Sequence, residues 1–378
     1  MRIFNLYIVR RNNKQYTVLR YLKLKLLLQE PHKMSMKNTF LRAGFTAGLA
    51  LAVSTHSFAQ DVHFTQFNMA PLTINPAFTG AYNGEFRAAA IYRDQWRSVT
   101  VPFKTIAVTV DAPVIRELTT DDYLAVGVQL YNDRAGDGNL QNFSGLASVA
   151  YHKFLGEKAN NALTIGLQGG YTQKSFDLSK LYFENQFDNG GFFGPQEVMR
   201  NKTDYFTVNA GIAFSHSSSE NFGFTLGLSA MNLNQPNESF RRQSNSQVGL
   251  GIRYAAQLGA VAYVNDKLSL RPGVLFQSQS SVNELIAGNE FHLIVGQDQF
   301  RSVSTAVFAG IWYRGNDAIM INAGIEWKAM RLGIAYDYNT SNLKTASNGN
   351  GGFEIALRYI MPSPLDFARR LTYPCSRF

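Results

Sequence analysis

The residue types that most often carry chemistry are sparse in this chain and poorly spaced for it. Four histidines follow position 59, namely His63, His152, His216 and His292, and no two stand at the spacing of a metal pair. The chain has no His-Glu-x-x-His. Gly227-Leu228-Ser229-Ala230-Met231 begins like a nucleophile elbow, yet it lacks the final glycine and lies in an alternating run. Gly249-Leu250-Gly251 lacks the third glycine of a dinucleotide fingerprint. Asn132-Asp133-Arg134-Ala135-Gly136-Asp137-Gly138 offers oxygen ligands to Ca²⁺, but Asn, Asp and Gly are turn formers and a hairpin loop accounts for them. No catalytic residue, metal or cofactor is assigned on these grounds. The candidates that remain are apolar and would serve as partner contacts: Phe64, Phe67 and Phe78 in one segment, Phe183, Phe192 and Phe193 in another. The second group lies with Tyr182 and Phe187 between Ser175 and Asp204, where it either forms a binding surface or folds inward to constrict a pore.

The elements around these residues have a period of two. Leu163, Ile165, Leu167, Gly169 and Tyr171 alternate with Thr164, Gly166, Gln168, Gly170 and Thr172; Phe206–Phe214, Phe222–Leu228 and Ile319–Trp327 repeat the pattern. About fourteen such runs begin near Phe86, Thr105, Leu124, Asn142, Leu163, Tyr205, Phe222, Arg253, Leu268, Asn283, Ala306, Ala318, Leu332 and Phe353. Most read as nine to eleven residues long, enough for a tilted strand to cross the hydrocarbon layer. Ile165 and Leu167 are expected to face lipid, and Thr164, Gly166 and Gln168 the lumen. The non-lipid face is rich in Gly, Ser, Thr, Asn and Gln, which suits a wet lumen or a crowded interior. Tyr92, Tyr131, Tyr151, Tyr171, Tyr205, Tyr313, Trp327, Tyr336 and Tyr359 fall near run ends, where an interfacial girdle would sit. A lipid-bathed sheet has to close, since an open edge cannot be satisfied in hydrocarbon. The expected fold is therefore all-β, a transmembrane antiparallel outer-membrane barrel.

The formal charge of +9 suggests a nucleic-acid-binding protein until it is located. Residues 1–59 hold ten basic side chains and one acid, while the remainder holds 26 of each. Lys37 and Arg42, the apolar Ala43–Val53 and then Ser57-Phe58-Ala59 have the order of a signal peptide. The expected organisation is a mis-called upstream extension (1–35), a signal peptide (36–59), a plug or docking segment (60–85), the barrel (86–361) and a tail (362–378) carrying the lone Cys375. Pro71 and Pro76 argue against a strand in 60–85. With the N-terminus periplasmic, Ser175–Asp204, Asn234–Gln247 and Asn339–Gly352 would face outward. Val264–Lys267 and Lys328–Met330 would be periplasmic turns, and Asp111–Asp122 a long periplasmic connection out of pattern.

At the start of that segment Asp61-Val62-His63-Phe64-Thr65-Gln66-Phe67, Ala70-Pro71-Leu72 and Asn75-Pro76-Ala77-Phe78-Thr79-Gly80 resemble the opening of PorP/SprF-family proteins. Tyr92-Arg93-Asp94-Gln95-Trp96, Phe103-Lys104-Thr105, Gly227-Leu228-Ser229 through Gln235-Pro236, and Gly310-Ile311-Trp312-Tyr313-Arg314 continue the resemblance. Ile334-Ala335-Tyr336-Asp337-Tyr338 and Gly352-Phe353-Glu354-Ile355-Ala356-Leu357 complete it. Asn232 departs from it, standing where a histidine is expected. The resemblance implies a non-enzymatic outer-membrane component of type IX secretion. It also implies contact with periplasmic and outer-membrane machinery and a role in secreting or attaching cargo such as gliding adhesins. The competing readings are an outer-membrane channel or hydrophobic-solute transporter, with 60–85 able to plug it, and a membrane-embedded hydrolase.

Overall fold

The computed structural model describes residues 63–99, 101–116, 118, 122–156, 160–181, 200–219, 221–240, 249–297 and 304–362. Fourteen antiparallel strands, each paired with its neighbours in sequence, close when β1 meets β14. They are β1 (Arg87–Gln95), β2 (Phe103–Arg116), β3 (Asp122–Ala135), β4 (Leu140–Leu155), β5 (Asn161–Ser175), β6 (Lys202–Ser219) and β7 (Phe222–Met231). The second half is β8 (Arg253–Tyr263), β9 (Leu268–Gln279), β10 (Val282–Gln297), β11 (Ser304–Arg314), β12 (Ala318–Trp327), β13 (Met330–Asn339) and β14 (Asn350–Ile360). The closing seam is in register from Arg87↔Ile360 to Gln95↔Gly352. Among the described residues no helix is long and apolar enough to cross a membrane; the one α-helix, α1, is Lys344–Ser347.

Alternation decides which face each side chain takes. On β5, Ile165 and Leu167 are each 54% exposed, while Thr164 and Gln168 are buried. The same outward row continues around the wall through Val108, Val128, Ile212, Leu228, Leu258, Val274, Phe291, Ile311, Ile321, Ile334 and Ile355. So large a continuous apolar belt is what a hydrocarbon environment selects.

Three expectations change. Strands β2 to β6 and β10 are longer than expected, from 14 residues in β2 to 18 in β6. The apolar alternation marks only the stretch in lipid, and polar residues such as Gln173, Lys174 and Lys202 carry the ladder onward. Asp111–Asp122 is mostly strand, with a bulge between Pro113 and Ile115, so its connection shrinks to 117–121. The short connections 156–160, 220–221, 264–267, 298–303 and 328–329 thus share one end of the barrel with it. The long ones, 176–201 and 232–252, leave the other, together with the short turns 280–281 and 315–317, the latter an exception to the pattern of long loops at that end. Finally, Tyr131 and Tyr205 leave the expected girdle. Each shares the inward parity of its strand, and Tyr131 packs on an interior cluster with Phe64.

Candidate functional site in the barrel lumen

Residues 63–85 run inside the barrel as three 3-10 turns, Phe67–Met69, Pro71–Thr73 and Pro76–Phe78. Pro71 and Pro76 open their turns, where the missing N–H leaves no helical bond unmade. Asn75 caps the third: its side-chain oxygen accepts from the Ala77 N–H at 2.9 Å. The amide of the same side chain donates to the carbonyls of Ile212 (3.2 Å) and Leu228 (3.3 Å) on β6 and β7. The wall lets the segment this close because it is glycine there. A Cβ at Gly211 would collide with the Asn75 side chain, and one at Gly166 with the Pro76–Ala77 backbone.

From Asn75 the segment is fastened on towards β1. Ser229 donates to the Ile74 carbonyl at 2.6 Å, and Thr79 to Ser148 at 2.8 Å. His152 Nε2 lies 2.7 Å from the Thr79 carbonyl, which only accepts, so Nε2 carries the proton and Nδ1 faces the Thr164 hydroxyl at 2.9 Å. Arg87 grips Asp111 at 2.9 and 2.8 Å and donates to the Phe78 carbonyl at 2.9 Å. Asp111 in turn accepts from the Gly80 N–H at 2.6 Å. Tyr82 donates to the Asp111 carbonyl at 2.6 Å; burial, reinforced by the Asp111 charge, raises its hydroxyl well above the usual phenol range.

The other end is held by charge. The N–H groups of Thr65 and Gln66 donate to the two carboxylate oxygens of Glu354, at 2.6 and 2.9 Å. The Thr65 hydroxyl donates to Asp337 at 2.5 Å and accepts from Arg93 at 2.9 Å. Arg93 pairs with Asp337 at 2.7 Å and with Glu354. Arg314 adds pairs to Asp337 (3.3 Å) and Glu284 (3.1 Å). Arg93, Asp337 and Glu354 are all buried. Nearer the short connections a second group joins Arg331 to Glu290 (2.6 Å) and Glu326 (3.0 Å), with His292 hydrogen-bonded to Glu290.

Each of the three phenylalanines within residues 63–85 faces a different part of the wall. Phe64 lies with Met69, Ile91, Ala107 and Ala356. Phe67 stands edge-on to Trp312, ring centroids 5.3 Å apart, beside Ile74 and Leu275. Phe78 packs with Phe154, Ala162 and Ala213. Phe183, Phe192 and Phe193, with Tyr182 and Phe187, lie outside the described residues. The Ser229 hydroxyl is engaged by the segment rather than by a base. Asn132–Ala135 completes β3, with Gln141 donating to Asn132 at 2.8 Å and Thr105 to Asp133 at 2.5 Å; Gly136 begins the turn. Among the described residues no group of three His, Cys, Asp or Glu is placed to hold a metal ion. Asn232 takes φ of 59° after β7 and accepts from Thr207 at 2.8 Å. Reading the sequence alone missed Arg87, Arg93, Asp111, Asp337 and Glu354 as lumen residues. Inward parity with Ala89 and Ile91 was the available signal for Arg93.

The fold and this interior define an outer-membrane β-barrel whose lumen holds residues 63–85 of the same chain. The chain belongs to the PorP/SprF family of type IX secretion system membrane proteins, whose family model matches residues 56–359. Its site is the outer membrane. No curated relative matches the chain. Solved barrels resemble it at very low identity. The toluene transporter TbuX of Ralstonia pickettii is 9% identical, covering 78% of this chain and 94% of that one, TM-score 0.42. The monoaromatic hydrocarbon channel CymD is 7% identical, covering 78% and 93%, TM-score 0.47. An outer-membrane channel from Pseudomonas putida F1 is 14% identical, covering 80% and 99%, TM-score 0.38.

Proposed function

We propose that this chain is a non-enzymatic component of type IX secretion that assists the secretion or surface attachment of cargo such as adhesins. In this reading the barrel is an anchored platform, and residues 60–85 are a plug that shapes the surface offered to secretion machinery. The supporting observation is the convergence of family-like motifs on one node: Thr65 and Gln66 from the opening, then Arg93, Arg314, Asp337 and Glu354 from four later motifs. Buried ion pairs that fasten residues 63–85 inside the lumen suit an anchored, filled barrel rather than an open water-filled pore. The reading also takes 36–59 as a signal peptide, so that the exported protein begins at Gln60; N-terminal sequencing of membrane-extracted protein checks this.

The test is co-purification from native outer membrane with partners identified, for the wild type and for a Phe64→Ala/Phe67→Ala/Phe78→Ala variant. The variant is expected to keep a barrel that resists unfolding on unboiled SDS gels while losing cargo attachment or partner recovery. Unchanged partners and unchanged secretion would reduce the segment to a tether. The second reading is a channel or hydrophobic-solute transporter, favoured only if the segment leaves the lumen.

A further inference from the structure

On the outward face of β2 and β3, at the end where the long connections leave, Lys104 and Arg134 stand directly opposite each other. Both are exposed, and among the described residues neither has an ion-pair partner. Like charges directly opposite on one face of an antiparallel pair repel and destabilise it. Asp94 of β1 opposes Lys104 on its other side and does not relieve the pair. Its carboxylate is engaged by the Tyr92 hydroxyl, 3.2 Å away, and by Arg97. Asp133 has the inward parity of its strand and accepts from Thr105. Arg97, Lys104 and Arg134 against Asp94 make three cations and one carboxylate, a net charge of +2 on this patch.

Towards the middle of the belt the same face becomes aromatic and then apolar. Tyr92 and Ile106 form the next cross-strand pair, and Ile106 is opposed on β3 by Asn132, which accepts from Gln141 at 2.8 Å. The following pair is Val108 and Leu130, 40% and 45% exposed. The two cations therefore sit just past the tyrosine girdle, at the depth of lipid headgroups, with side chains that meet acyl chains directly beneath them. We propose that Lys104 and Arg134 bind a phosphate of a phosphorylated glycolipid in the outer leaflet, with its acyl chains lying on Ile106, Val108 and Leu130.

Place and charge together select this ligand. A phosphate group brings negative charge and several acceptor oxygens, which a guanidinium meets as a fork and an ammonium as a point charge. Held between Lys104 and Arg134, it turns a repulsion into two charge-assisted contacts. A soluble phosphate compound would gain nothing from the apolar strip below. In outer-membrane barrels the longer loops are extracellular, so the patch meets the outer leaflet, where phosphorylated glycolipid takes the place of phospholipid. The inference rests on the membrane barrel and its orientation and is independent of any role in cargo handling.

Native mass spectrometry of the purified protein in detergent, with diphosphoryl lipid A added, reads the occupancy. Wild type is expected to bind a single molecule. Lys104→Gln/Arg134→Gln is expected to bind it at least about tenfold more weakly, the worth of one charge-assisted hydrogen bond. Lys202→Gln removes an exposed lysine of β6 at the same end and is expected to bind like wild type. Unboiled SDS gels check that each variant keeps its barrel, and lipid A stripped of its phosphates tests the same contact on the unaltered protein. Equal binding by the double variant would overturn the proposal, as would equal binding of the phosphate-free lipid. Phosphatidylglycerol bound as tightly as lipid A would overturn the glycolipid assignment in favour of any anionic lipid. Displacement of lipid A by millimolar inorganic phosphate would make the patch a soluble-phosphate site and overturn the lipid assignment.

Discussion

Arg93 concentrates the energetics of the lumen. Its guanidinium stands between Asp337 and Glu354, and those carboxylates also hold the Thr65 hydroxyl and the Thr65 and Gln66 N–H groups. Removing one member of a buried ionic set leaves the others uncompensated, at a cost of about 3–5 kcal/mol. Arg93→Met is therefore expected to lower the midpoint of denaturant unfolding in detergent far more than Glu354→Gln. The glutamine keeps one acceptor oxygen where the carboxylate offers two to the Thr65 and Gln66 N–H groups, and it leaves Arg93 paired with Asp337. Equal small effects would mean that the node does not bear on stability. Strand parity with Ala89 and Ile91 turns Arg93 inward, but the pairing itself is not legible in the sequence, because one charge at an inward position does not disturb a period of two. Its partners lie 244 and 261 residues away.

At the scale of elements, alternation located every strand, since lipid contact forces one apolar face wherever the wall crosses the membrane. It gave the lengths less well. Lys174 and Lys202 lie beyond the apolar belt yet within the β5–β6 ladder, and ladder bonds need no apolar side chain. Alternation also left the lumen segment undrawn: Pro71 and Pro76 excluded a strand there without saying where the segment lies. The glycine cradle supplies a test of that placement. Gly166→Val adds bulk on the lumen face against the Pro76–Ala77 backbone and leaves the lipid face untouched. The barrel is expected to assemble, with the segment displaced and cut by chymotrypsin at Phe64, Phe67 or Phe78. Protection equal to wild type would contradict the contact.

At the scale of the whole molecule, a neutral body, an apolar belt and a charged, filled interior form one design. The outer face is matched to hydrocarbon, and the inner face to its own chain. An arginine on the lipid face near the membrane centre costs about 2–4 kcal/mol, so Ile165→Arg is expected to reduce assembly in the outer membrane sharply. From the sequence alone, Gln168→Arg reads as the tolerated control. The structure removes that role, because Gln168 is buried, accepts from Asn209 at 2.7 Å and donates to the Leu72 carbonyl at 3.5 Å. Lys174→Arg, on the partly buried extension of β5 where the side chain pairs with Glu238, is the better control, and assembly like wild type is expected. The segment is expected to close the barrel, which planar-bilayer recording of purified protein checks. Wild type is expected to show no steady conductance, and a form lacking residues 60–78 to show stable open steps. A steady wild-type conductance that the deletion leaves unchanged would mean that the segment does not close the barrel.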